Sequence, residues 1–290
     1  MSIALDSAPS ALGEALRSAG HGLLGVLRQP VLLLAWIVVV VALGWAIAPG
    51  FFTSVSPYEG DPALSFAPPS AEHLFGTDRL GRDLFSRSIH GAGTTLSATL
   101  LAVLLALGVG TVVGIVAGTV GGVADTIIMR VVDVLLSIPS LLLAMVIVAV
   151  LGYSTNNIAL AVGISSIAAF ARVMRSEVIG VIRTDYVKAA RGSGTRGAAV
   201  VLRHVVPNAL GPVLALAALE VGSAILAVAS LGFLGYGAPP PEPEWGLLVA
   251  EGRDFLATHP WISILPGIAL ALVVIATHRI STSFRKDHRR

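Results

Sequence analysis

The residues whose types and spacing could do chemistry fall into two runs: His73 to Arg87, HLFGTDRLGRDLFSR, and Asp185 to Asn208, DYVKAARGSGTRGAAVVLRHVVPN. In the first, Asp78 with Arg82 and Asp83 with Arg87 stand four residues apart, where opposite charges meet along one helical face. Such pairs can contact a charged ligand or close a compact element on themselves, and the second role is expected. His73 has no second histidine or cysteine nearby and is expected to be a hydrogen-bonded loop residue, not a metal ligand. In the second run, Asp185 is placed to cap a short helix whose body is Tyr186 to Arg191. Ala189 and Ala190 leave that helix bare, so another protein's surface can come close to its backbone, and Gly192 and Gly194 supply the positions that end it.

Composition says what surrounds these runs. Of 290 residues, 55% are hydrophobic and 12% charged, too apolar a mixture for an ordinary soluble domain and expected of an integral membrane protein. The net charge is only +2 and the arginines cluster at the edges of apolar stretches, so nucleic-acid binding is not expected. The absence of cysteine removes disulfides, thiolate metal sites and cysteine nucleophiles together. No G-x-x-x-x-G-K-[ST], H-E-x-x-H or G-x-S-x-G pattern occurs, so neither ATP hydrolysis by this chain nor a simple hydrolase site is expected.

The elements expected to position the runs are six membrane-crossing helices, at about 30–48, 96–120, 127–151, 158–173, 209–234 and 261–280. Residues 1–29 read as an N-terminal tail or interfacial helix, with no cleavable signal peptide. Glycines 108, 110, 114 and 118 in the second span mark close helix packing, and Pro139 is expected to bend the third. Between Arg172 and Asn208 seven basic residues face only Glu177 and Asp185, which places the 174–208 loop in the cytoplasm, with both termini. The segments 50–93 and 235–260 then lie outside. Asp133, three residues after Arg130, is expected to pair with it. Glu220 has no partner on its own helix and divides evenly between lining a solute path and making an interhelical contact with a partner subunit.

Lys188-Ala189-Ala190, Gly194 and the following RHVVPN, with Pro207, resemble the EAA loop of ABC importer permeases, except that Lys188 stands where the family usually has an acid. The His73–Arg87 run resembles the H-x-x-G-T-D-x-x-G-R-D-x-x-S-R signature of dipeptide and oligopeptide permeases at Gly76, Thr77, Asp78, Gly81, Arg82, Asp83, Ser86 and Arg87. The SLGFLGYG run from Ser230 and Glu244-Trp245-Gly246 agree with it.

The resemblance implies an all-α, six-helix permease of the type I ABC importer fold in a bacterial inner membrane. It implies that Tyr186 to Gly194 is a coupling helix seated on a cytoplasmic ATPase subunit. It also implies a second homologous permease, an extracytoplasmic solute-binding protein and surrounding lipid as partners. ATP and Mg2+ would be used by the ATPase subunits, and this chain would bind no cofactor. Peptides are the implied cargo. The alternative from another class is a stand-alone transporter or channel driven by an ion gradient, which predicts inverted repeats and unpaired intramembrane charges.

Overall fold

The computed structural model describes residues 29–287. The expected N-terminal tail therefore lies almost wholly outside the described residues, as do the last three residues of the basic C-terminus. Nine helices of eight or more residues are seen among the described residues: α1 (Pro30–Ile47), α2 (Leu84–Val120), α3 (Gly122–Ser137), α4 (Ser140–Leu151), α5 (Thr155–Ile182), α6 (Asp185–Gly192), α7 (Gly197–Phe233), α8 (Trp245–Gly252) and α9 (Trp261–Asp287). A π-helical turn, Val201–Val205, is built into α7. Five helices (α1, α2, α5, α7 and α9) are long and apolar enough to cross a membrane, and α3 with α4 make a sixth crossing if the bent pair is one span.

The start of α2 differs from expectation. Asp83 accepts the backbone N–H of Ser86 at 2.6 Å and so begins the helix at Leu84, twelve residues before the expected span. The prolines and mixed charges of 50–93 suggest an external loop up to Gly93, yet Ser86 and Arg87 are buried in the first turn of the helix. At 37 residues α2 is about 55 Å long, well beyond a hydrocarbon core of ~30 Å, so several of its turns extend past the apolar layer. Its C-terminus is set by Gly121 at φ 67°.

α2 and α5 form the centre of the bundle because small residues let their backbones meet. A Cβ at Gly110 would lie 2.5 Å from Phe170 Cβ, and one at Gly114 2.6 Å from both the Ala171 carbonyl oxygen and Met174 Cβ. Gly118 meets Val178 in the same way, whereas Gly108 faces open space. Three of the four glycines thus pack a helix. Gly114→Leu is expected to lower the melting temperature of the detergent-purified protein sharply, by about 3 kcal/mol or more of overpacking. Gly108→Leu, with nothing to strike, should melt like the parent.

Pro139 does more than bend a helix. Lacking an N–H and clashing with the preceding turn, it ends α3 at Ser137, and α4 leaves at 95°. Beyond the break α4 packs Ala144 and Val148 against Ile158 and Val162 of α5, with Ala224, Val228 and Leu231 of α7. α5 continues as a helix beyond the apolar stretch 158–173, as expected, to Ile182, and is begun by the Ser154 hydroxyl accepting the Asn157 N–H at 3.2 Å. α1 lies against α9, with Leu32 and Ala35 on Ala276 and Ile280.

Candidate functional site

The His73–Arg87 run closes on itself at one end of the bundle. Asp78 accepts from the Leu80 and Arg82 N–H groups at 2.8 and 3.0 Å and from Arg82 Nε at 2.7 Å. This is the expected pair at i, i+4. The Asp83 to Arg87 pair is not formed. Capping α2 turns Asp83 toward His73, whose Nδ1 lies 2.8 Å from Asp83 Oδ2, and Arg87 reaches across the chain to Glu251 at 3.0 Å. Arg87 is 0% exposed. Its Nη1 lies 3.7 Å from Asp78, beyond hydrogen-bond range, and Nε and Nη1 have no hydrogen-bond partner among the described residues. The other signature residues hold the loop. Thr77 donates to the Leu64 carbonyl and Ser86 to that of Val55. Gly81, at φ 72°, lies so close to Asp61 that a Cβ would sit 1.8 Å from its carbonyl oxygen, and Gly76, at φ 73°, passes close to Ala67 and Trp261.

Glu244, which sequence reasoning treated only as part of a matching motif, joins this element to the bundle. Its carboxylate caps α8, accepting the Gly246 and Leu247 N–H groups at 2.9 Å each, and accepts the Thr95 hydroxyl of α2 at 3.1 Å. Burial pushes the carboxyl above the usual carboxylate range, and these three donors only partly oppose that. Gly232 and Gly246 are bare for packing: a Cβ on Gly232 would fall 1.9 Å from Glu244 Oε2, and one on Gly246 1.9 Å from the Ala229 carbonyl oxygen. Buried Trp245 donates Nε1–H to the Ser88 carbonyl at 2.8 Å. The signal that could have found Glu244 is its place as N-cap two residues before a glycine that opens a helix.

At the opposite end stands α6. Its only buried residue is Val187, packed among Met174 and Val178 of α5 and Val200 and Val205 of α7. Tyr186, Lys188 and Ala189 are exposed, Ala190 is half-buried, and Gly194 ends the turn at φ 85°. Thr184, not Asp185, holds the N-cap position. Asp185 is the first helical residue and binds Lys188 Nζ at 2.9 Å, so the Lys188 cation has a partner on its own helix. Pro207 lies inside α7 just after the π turn Val201–Val205, where the wider turn accommodates a residue without an N–H.

Within the bundle, Asp133 does not pair with Arg130. It binds Arg172 of α5, and Asp125 binds Arg175, because the break at Pro139 lays α3 across α5. Glu220 accepts the Ser166 hydroxyl of α5 at 2.8 Å, an interhelical contact inside this chain.

The family described as a binding-protein-dependent transport system inner membrane component matches residues 110–290, well over half the chain. The chain belongs to that family. Among its relatives, the dipeptide transport system permease protein of Alkalihalophilus pseudofirmus is 38% identical over 240 residues, 83% of this chain and 79% of that protein. The glutathione transport system permease protein of Shigella flexneri is 37% identical over 262 residues, 89% and 86% of the two chains. Two solved structures share the fold: the methionine ABC transporter MetNI in inward-facing conformations, at TM-score 0.53 and 18% identity over 68% of this chain and 95% of that one, and an amino acid ABC transporter with histidines, at 0.54 and 16% over 70% and 94%. This inner membrane component therefore has the type I ABC permease fold. Its matched region takes in α3 to α9, with α6 and the α3–α4 break, while the His73–Arg87 element precedes it.

Proposed function

We propose that the chain is one permease half of an ATP-driven peptide importer. α6 is its contact with a cytoplasmic ATPase subunit, and the His73–Arg87 and α8 end faces outward toward a solute-binding protein. The observation that carries this reading is the form of α6: a short helix whose one buried residue is a valine, presenting Tyr186, Lys188 and Ala189, with Ala190 half-buried beside them, beyond the ends of α5 and α7. A helix anchored at one point and bare elsewhere can be gripped by another subunit, and movement of that subunit passes directly to the long helices on which Val187 rests. The five basic residues Arg183, Lys188, Arg191, Arg196 and Arg203, with Asp185 as the acid among them, support a cytoplasmic orientation of this end, with both termini inside. The names of relatives that cover most of this chain support peptides as cargo.

In the cycle we infer, ATP with Mg2+, bound by the ATPase pair, supplies the closing motion. Two α6 helices, one from each permease, are drawn together, and rigid rotation of α5 and α7 opens the far end to the binding protein. Tight α2–α5 packing makes these two helices move as one body. A second permease encloses the far side of the break between α3 and α4, which one copy leaves exposed.

Purification in mild detergent tests the assignment. ATPase subunits and a second permease are expected to co-purify, with peptide uptake only by the complete assembly plus ATP and binding protein. Gradient-driven uptake by this chain alone in proteoliposomes would establish the ion-coupled alternative instead.

A further inference from the structure

Where α3 and α4 form one bent crossing, the length of α4 places the break between them inside the membrane thickness. α4 has 12 residues and spans about 18 Å, against a hydrocarbon core of ~30 Å, and it runs beside the first half of α5. At the break Ser137, Ile138, Pro139 and Ser140 are all exposed. A helix end leaves carbonyls that no helical N–H covers, and lipid tails cannot satisfy them. One turn before the break, Asp133 and Arg172 form an ion pair in which the side chains remain 53% and 50% exposed. An open ion pair and an open helix break at this depth are compatible with water or protein, not with acyl chains.

We propose that a water-filled path runs along the Ser137–Ser140 break, and that the half-open Asp133–Arg172 pair is the charged contact that a solute passes on it. An acid and a base side by side offer a partner to each end of a molecule that carries both charges. A zwitterionic peptide is such a solute; that identity rests on the proposed function, whereas the position of the path does not. Neither group is left as a lone intramembrane charge when the solute departs, because each returns to the other.

The chain contains no cysteine, so single thiols can be placed without background in it. In the reconstituted assembly, Ser137→Cys and Ser140→Cys are expected to react with membrane-impermeant thiosulfonates at least about tenfold faster than Val40→Cys or Ile275→Cys, in the nucleotide-free or the ATP-trapped state. The last two sites are equally open in the single chain, at 61% and 60%, but lie on α1 and α9. Equal rates at all four sites in both states would overturn the path. Adding Arg172→Gln to Ser137→Cys removes one positive charge. It should lower the ratio of anionic to cationic reagent rates about fivefold if the pair faces the same water, and an unchanged ratio would overturn its placement. Neither readout depends on which cargo is carried, so a failure of the peptide assignment would show as absent peptide uptake with the labelling pattern intact.

Discussion

Replacing Ala189 with arginine is expected to abolish uptake while the protein still inserts, folds and assembles with its partner permease. Ala189 is exposed on α6, on the side away from its buried anchor Val187, so a larger side chain there strikes nothing among the described residues. The intrinsic helix preference of arginine is only a few tenths of a kcal/mol below that of alanine. A partner surface fitted against a bare alanine turn is another matter, since overpacking such a contact costs about 1–3 kcal/mol, or roughly a fivefold to hundredfold loss of docking. The check is uptake per folded transporter together with ATPase co-purification. Unchanged uptake would refute α6 as the coupling contact. Lys188 sharpens the comparison: it pairs with Asp185, so Lys188→Glu sets two acids three residues apart and also reverses the charge shown to the partner.

The second large effect is expected at Arg87→Met. This guanidinium is fully buried and joins α2, the Asp78 loop and Glu251 at the end of α8. Its removal leaves Glu251 and Asp78 with Arg82 as their remaining cation, at 3.6 and 2.7 Å. Uncovering one side of a buried ion pair costs about 3–5 kcal/mol, a large share of the 5–15 kcal/mol typical of folded proteins. The purified variant should melt far below the parent and yield less folded protein. Arg87→Met with Glu251→Gln should recover part of the loss, because the two carboxylates no longer share the one cation Arg82. If Arg87→Met melted like the parent, the cluster would not be what fastens this end.

Much of the architecture was legible in the chain itself. Uninterrupted apolar stretches such as 30–48 have few alternatives to a membrane helix, since lipid leaves no other way to satisfy the backbone. Small residues at helical spacing foretold close packing at Gly110 and Gly114, and Pro139 foretold a disturbance of the third span. The Asp78–Arg82 pair was legible because both residues lie in one local turn, where spacing alone decides the contact.

Pairings set by distant segments were not legible. Asp133 lies one helical turn from Arg130, yet binds Arg172 thirty-nine residues away, because the 95° break turns α3 across α5. Asp83 satisfies the Ser86 N–H at the start of α2, which frees Arg87 for Glu251, 164 residues further on. Glu220 finds Ser166 on another helix, and Glu244 finds Thr95 on another still. Charge spacing carries information only across a turn or so of continuous helix, and at breaks and caps the backbone's own unsatisfied groups compete for the same side chains. The sequence by itself determined a membrane-embedded helical bundle, its family motifs and the bare face of α6. Tertiary structure alone decided which charges meet, that Gly232 is bare for Glu244, and that the break at Pro139 stays open to one side of the bundle.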